Sequence, residues 1–441
     1  MRLATLGLLL LFPLQEPAHP MDKGLEPLTS ALLKEYLTYL ASDELEGRCA
    51  GFPGNDLATE FIAKKFREAG LKPVGDKDDK GGPTYWQRFT IRRGELTTRN
   101  CAGLLEGRDP VLKDEIVVVG AHHDHVGRKG QQRAGQLGSA TKEDEIWNGA
   151  DDNGSGTTAL LGVAKAFAAA GARPRRSILF LTFSAEEWGL LGSRHYVSHP
   201  LFPLDKTVTM LNMDMVGRTA TEGAANAYGL GTVAGDAFRP IVEAAAKRAG
   251  LSLNYDSSFG DGSDHVSFYA KGVPILGLSE RGPCPDYHKV TDHAEKIDYG
   301  TMEKIARTAA LTLFDIADFA GSLRRNPEFK RPVAPDSGKP RLGAYLESVE
   351  GEALARLALG EGRGAMSVNG FIENSVAETG GVREGDIIVS FNGETFSADA
   401  PREKLTENLD KIARGKPVPL ELVRGGKRFT VQLTWPPVET K

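Results

Sequence analysis

Four apolar, β-type runs in this chain each end on side chains that bind metals or move protons. EIVVVGA leads into His122, His123 and Asp124, and SILFLTFSA into Glu186 and Glu187. TVTMLNM leads into Asp214, and VPILGLS, a few residues on, into Tyr287 and His288. A fifth segment, WNGADDNGSG, puts Asp151 and Asp152 in a Gly-rich loop just ahead of a helical stretch. Open parallel sheets bind ligands in the crevice outside the carboxyl ends of their strands. Imidazoles and carboxylates gathered there imply a metal site, with donors enough for two ions. Catalytic sites of this kind leave a position open for water. Two ions about 3.5–4 Å apart need a bridging ligand, usually a carboxylate. His122, Asp152, Glu187, Asp214 and His288 suffice for that arrangement, with Glu186 left over. Adjacent glutamates at a strand end point in different directions, so one can bind metal while the other takes the water's proton and returns it to a leaving amine. On the residues alone, His123 and His125 form a rival i, i+2 pair, and Asp151 competes with Asp152.

The elements that must position these groups are legible from pattern. LTSALLKEYLTYLASD reads as a helix capped by Thr29 or Ser30. GNDLATEFIAKKFREAGL reads as a second, stopped near Gly70. The β-branched and aromatic stretch from Tyr85 to Glu106 predicts a hairpin. Helical patterns in SGTTALLGVAKAFAAAG, DAFRPIVEAAAKRAG and TMEKIARTAALTLFDIADFAGSL then alternate with the strands. That alternation predicts an α/β fold, a mostly parallel mixed sheet flanked by helices on both faces, over residues 26–323. A polar, proline-bearing linker over 324–339 follows. Short β-type runs around one helical stretch, DAPREKLTENLDKIARG, then predict a small β-rich domain over 340–436. Arg-Gly-Gly-Lys at 424–427 is placed as its tight hairpin turn.

Composition narrows the class. At 441 residues the chain exceeds what one core usually organises. With 40% hydrophobic and 26% charged residues it reads as folded. A net charge of −5 supplies no basic field, which excludes nucleic acid as an expected partner. The first residues carry one Arg and an apolar run ending at Pro13, too short to span a bilayer. They read as a signal peptide over 1–18, so the expected location is secreted or periplasmic, with no transmembrane segment. Cys49 and Cys101 are candidates for a disulfide whose formation the sequence leaves open. Cys284 reads as a small packed residue, because hard carboxylate sites seldom include a thiolate. His195, His199 and His293 read as surface histidines.

The blocks GAHHDHVG, GADDNGSG, FSAEEWGLLGS, NMDMVG and PDYHKVTDHAEKID, in this order, resemble the co-catalytic dizinc aminopeptidases of the aminopeptidase Y and bacterial leucyl aminopeptidase type, relatives of glutamate carboxypeptidase. The resemblance covers most of residues 26–323 and implies a zinc exopeptidase-like fold with two Zn2+ per chain, Co2+ or Mn2+ being possible substitutes. It makes His122 a ligand of one ion and His288 the second imidazole ligand, puts Glu187 and Asp214 on opposite ions, and assigns Asp152 to the bridge, followed by a cis peptide. It makes Asp124 the outer partner of His122, Glu186 the general base, and Tyr287 a donor to the tetrahedral oxyanion. Asp264 and His265 match a block lining the substrate side. The implied function is a secreted aminopeptidase acting on peptides with a free N-terminus. A carboxypeptidase or dipeptidase on the same scaffold, a glutaminyl cyclase, and a non-catalytic adaptor are the alternatives. GFIENSVAETGGVREGDIIVSFNGE resembles PDZ domains of bacterial secreted proteases, over about 340–436. Such domains bind a protein C-terminus or an extended peptide as an added strand. The carboxylate loop would lie at Leu342, Gly343 and Ala344.

Overall fold

A computed structural model describes residues 17–91, 96–131, 141, 143–255, 262–280, 282, 284–329, 340–349, 351–371, 375–383, 385–398 and 401–437. The leader expected over 1–18 lies outside these residues up to its last two, as do residues 330–339 of the expected linker.

Helix α1 (Ser30–Leu40) is capped by Thr29, whose hydroxyl accepts from the Leu32 amide at 3.2 Å. Helix α2 (Pro53–Glu68) starts on a proline, which loses nothing at a position without an intrahelical partner, and ends before left-handed Gly70. After a short edge strand β1 (Lys72–Pro73), the hairpin forms from β2 (Trp86–Ile91) and β3 (Leu96–Leu105). Next come β4 (Ile116–His122), α3 (Gly156–Ala170), β5 (Ser177–Phe183), α4 (Leu191–Ser198) and β6 (Thr207–Met213). The domain closes through β7 (Ala224–Tyr228), α5 (Phe238–Ala249), β8 (Ser252–Tyr255), α6 (His265–Ala270), β9 (Ile275–Ser279) and α7 (Tyr299–Asp318).

The nine strands form one mixed sheet in the order β1-β3-β5-β4-β6-β9-β7-β8, with β2 paired to β3. β5, β4, β6 and β9 run parallel; β3 joins β5, and β7 joins β9, antiparallel. β4 and β5 are buried at every residue, as a sheet covered on both faces requires. Their side chains alternate between two cores. Val117, Val119, Ile178 and Phe180 meet α1, α2, α3, α5 and α7. Val118, Leu179, Leu181 and Phe183 meet α4 and α6. From β4 the chain crosses to β5 on one side and then back to β6 on the other, so the strand order reverses at β4 and opens a crevice at its carboxyl end.

The C-terminal unit is an antiparallel sheet of β10 (Ala344–Ser348), β11 (Met366–Phe371), β12 (Ile387–Phe391), β13 (Glu394–Ser397), β14 (Pro417–Arg424) and β15 (Lys427–Thr434), beside α8 (Pro401–Leu409). Its own core gathers Val368, Phe391, Leu420, Leu433 and Trp435. Gly425 and Gly426 both take positive φ in the two-residue turn between β14 and β15, the conformation that matches strand twist. Among the described residues no helix is long and apolar enough to cross a membrane.

Candidate metal centre

The strand ends converge because left-handed residues turn the chain just there. Ala185 precedes Glu186 at φ 58°, Met215 follows Asp214 at φ 52°, and His288 itself sits at φ 52°. Non-glycine residues in this region are uncommon and cluster at functional sites. Gly149 has no alternative: its φ is 56°, and a Cβ would lie 2.4 Å from the His125 ring.

Two groups of donors result, and Asp152 belongs to both. Its Oδ1 lies 3.4 Å from His122 Nε2, which is also 3.4 Å from Asp214 Oδ1. Its Oδ2 lies 3.0 Å from His288 Nε2, which is also 3.0 Å from Glu187 Oε2. One carboxylate divided between two imidazole–carboxylate groups is the arrangement a bridging ligand requires. The donors fit divalent ions on their own evidence: Asp152 Oδ2 and Asp214 Oδ1 are buried, and what faces them among the described residues is imidazole nitrogen rather than a backbone amide, hydroxyl, lysine or arginine. Nitrogen and carboxylate oxygen in this mixture suit zinc. The Asp152–Asn153 peptide is cis.

His125 and His123 separate clearly. His125 Nδ1 lies 2.9 Å from Glu187 Oε1 and 3.8 Å from Asp152 Oδ2, on the His288 side of the centre. His123 turns away to Thr182 Oγ1 at 3.1 Å, and its burial drives its pKa well down. Asp151 belongs to neither of these two donor groups. Glu186 is half-buried beside the centre; burial, with Glu187, Asp264 and Asp214 nearby, raises its pKa well above the carboxylate range against the pull of His122. Tyr287 is 46% exposed and stacks on His288 with ring centroids 3.9 Å apart. Asp264 is fully enclosed at the start of α6, and burial pushes it up to about 7. His265 lies against the Tyr228 ring.

Asp124 does more than back His122. His122 Nδ1 is 3.2 Å from the Asp124 carbonyl and 3.7 Å from its carboxylate. The carboxylate accepts instead from the amides of Glu186 and Glu187, at 3.1 and 3.3 Å, and so orients the glutamate pair. Two further positioning residues carry no signal in the sequence. Asp292 accepts from the amides of Asp151 and Asp152 at 3.0–3.1 Å, pinning the bridging loop. Arg48 is buried and donates to the carbonyls of His123, Leu40, Asn148 and Gly149 at 2.5–2.8 Å, tying α1, the β4 end and the bridging loop together. Arg48→Met should lower stability by at least about 3 kcal/mol, since each buried carbonyl left without a donor costs about 1–3 kcal/mol. Chemical denaturation reads this directly; an unchanged midpoint would mean that the guanidinium only fills space.

His195, His199, His293, Cys49 and Cys101 lie outside the donor groups. His195 corrects its expected solvent-facing position: it is half-buried, stacked on Phe89 and on exposed His199. His293 pairs with Asp144 at 3.4 Å. Cys49 and Cys101 are both buried, and no disulfide joins them.

Proton competition gives a measurable signature. Burial lowers a histidine's pKa, but here Asp152 and Glu187 overcome it and hold His288 up to about 11. Asp214, Glu186, Asp124 and Asp152 likewise raise His122 well above its usual value. Imidazolium cannot ligate, so metal must displace these protons and affinity must rise with pH. Calorimetric titration with zinc in buffers of different ionisation heat should show about one to two protons released per chain. Zero release would mean that the imidazoles are not ligands.

Residues 100–313 match the sequence profile of Peptidase family M28. Aminopeptidase YwaD of Bacillus subtilis is 28% identical over 260 residues, 56% of this chain and 52% of its own. Leupeptin-inactivating enzyme 1 of Streptomyces exfoliatus is 31% identical over 265 residues, 59% and 50% of the two chains. The chain thus spans about half the length of the curated relatives it matches. The LapA aminopeptidase structure of Legionella pneumophila superposes with a TM-score of 0.53 at 19% identity, over 72% of this chain and 78% of that one. The glutaminyl cyclase of Porphyromonas gingivalis superposes at 0.52 and 19%, over 65% and 97%. These structural likenesses show the fold; the profile and sequence matches make residues 100–313 a hydrolase domain of the metallopeptidase type.

Proposed function

We propose that residues 26–323 act as a zinc-dependent aminopeptidase, hydrolysing the first peptide bond of peptides with a free N-terminus. The observation that carries this reading is the division of the Asp152 carboxylate between His122/Asp214 and Glu187/His288, with Glu186 beside it. Two zinc ions held there would supply a water of lowered pKa and polarise the scissile carbonyl. The rest is done by the chain. Glu186 accepts the water's proton on its carboxylate and hands it to the departing amine. Asp124 keeps Glu186 and Glu187 apart in their two roles. Tyr287, anchored by its stack on His288, donates to the oxygen that gains charge in the tetrahedral state. The substrate's ammonium sits among the carboxylates near Glu186 and Asp214, which confines cleavage to the N-terminal residue.

Fold alone does not separate this from carboxypeptidase, dipeptidase or cyclase chemistry. The complete double ligand set favours two-ion hydrolysis over a cyclase, and it argues against a non-catalytic adaptor. A panel of aminoacyl p-nitroanilides, each beside its N-acetylated copy, tests the reading with bound metal quantified. Turnover of the free-amine forms only is expected; equal turnover of blocked forms would rule out an aminopeptidase.

The unit over 340–436 acts as a PDZ-type peptide-binding domain. Among the described residues β10 pairs on one side, with β11, leaving an edge for an added strand. Gly343 at φ 70° turns the preceding loop, where a Cβ would strike Ser375. Fluorescence polarisation with C-terminal peptides and their amidated forms tests this: a loop that receives a carboxylate distinguishes them. The apolar N-terminus serves as an export signal, which N-terminal sequencing of the native protein would reveal as cleavage near residue 18.

A further inference from the structure

Three more side chains converge behind the bridging aspartate. Asp151, Glu280 and Cys284 bring one ligand atom each to within 4.8 Å of one another. Asp151 is fully buried, Glu280 is 7% exposed, and Cys284 is half-buried. They come from three segments: the loop before α3, the residue after β9, and the loop that carries Tyr287 and His288. Main-chain donors hold the carboxylates in place. Asp151 Oδ1 accepts from the Gly217 amide and Glu280 Oε2 from the Arg218 amide, both at 2.9 Å. The Glu280 amide in turn donates to the Met215 carbonyl at 2.7 Å.

What remains is Asp151 Oδ2, buried and reached by no amide, hydroxyl or basic side chain among the described residues; the group that could donate to it is Glu280 in its protonated form. The side chain brought to it is Glu280, another carboxylate. Two acceptors cannot satisfy each other; a proton or a cation must lie between them. Arg218 gives Glu280 its backbone amide while its guanidinium bonds Asp286, so its charge acts on the pair from a distance and no side-chain N–H of it lies between the two carboxylates. Cys284 weights the choice toward a metal, since zinc takes thiolate and carboxylate together and three protein donors leave a fourth tetrahedral position for water.

We propose that Asp151, Glu280 and Cys284 hold a third divalent ion of the zinc class, separate from the pair at Asp152. This ion is structural. It clips together the loop of Asp152, the segment after Asp214 and the loop of His288, so that three ligands of the catalytic centre share one anchor. The site rests on these three side chains and stands independently of the peptidase reading.

Cobalt(II) is the probe, loaded into the full-length protein and into Cys284→Ser and Glu280→Gln. Thiolate ligation gives a near-ultraviolet sulfur-to-cobalt band that the imidazole–carboxylate centre cannot produce. Wild type should show that band, and zinc content should be about three per chain. Glu280→Gln should lose the band and about one ion although its cysteine remains, while the visible absorption of the other centre persists. Cys284→Ser should do the same. Visible absorption without the band in wild type would overturn the third site and assign a shared proton to Asp151 and Glu280. A band that survives Glu280→Gln would overturn it equally, by placing the thiolate–metal contact elsewhere.

Discussion

Glu186→Gln should leave the chain folded and metal-loaded while kcat falls by about 10²–10⁴-fold, the usual contribution of a positioned proton-transfer group. The amide keeps the size and the position at the end of β5, and its own backbone N–H still donates to Asp124 at 3.1 Å. What it lacks is a basic oxygen. Glu186 stands outside both donor groups, so metal content and KM should change little. Loss of rate with retained metal separates proton transfer from ligation. If metal content fell together with rate, Glu186 would be a ligand and the roles of the two glutamates would be exchanged. If the rate were unchanged, another group would carry the proton.

Asp152→Asn should have the second large effect. The native carboxylate places one oxygen at 3.4 Å from His122 and the other at 3.0 Å from His288. An amide offers one neutral oxygen, and its nitrogen faces an imidazole that must remain a ligand. Both ions lose their shared anion, so metal affinity should fall by more than the about 10–100-fold typical of outer partners, with activity falling at least as far. Metal-buffered titration of the variant checks the first part. Asp292→Asn is the useful contrast. It weakens a clamp on two amides rather than a ligand, so its loss should stay within the about 10–100-fold range. Full metal content in Asp152→Asn would remove the bridge from the proposal.

Much of the chain's local architecture is legible in its residue order. The strand cores ending at His122, Phe183, Met213 and Ser279 follow from runs of β-branched and apolar residues bounded by polar ones. The caps and stops of α1 and α2 follow from Thr29, Pro53 and Gly70. These are local preferences, expressed within a few residues. Because a parallel sheet aligns the carboxyl ends of its strands, knowing which residues end the strands already selects the residues that meet.

Other features have no local signal. Arg48 acts on a carbonyl 75 residues away, and Asp292 on amides 140 and 141 residues away. In sequence each is one charged residue among many, and a buried charge announces itself only when its acceptors are known. Asp124 is readable as a partner of His122, yet its grip on Glu186 and Glu187 depends on how β5 ends beside β4. The sequence by itself thus determined the elements, the order in which they alternate and the donors they present, because those depend on short-range pattern. Tertiary structure alone decided that His125 faces the centre while His123 turns away, which residues clamp the loops, and that Asp151, Glu280 and Cys284 converge. Those outcomes depend on distances of a few ångströms between segments far apart in the chain, which the sheet's strand order sets and no local preference records.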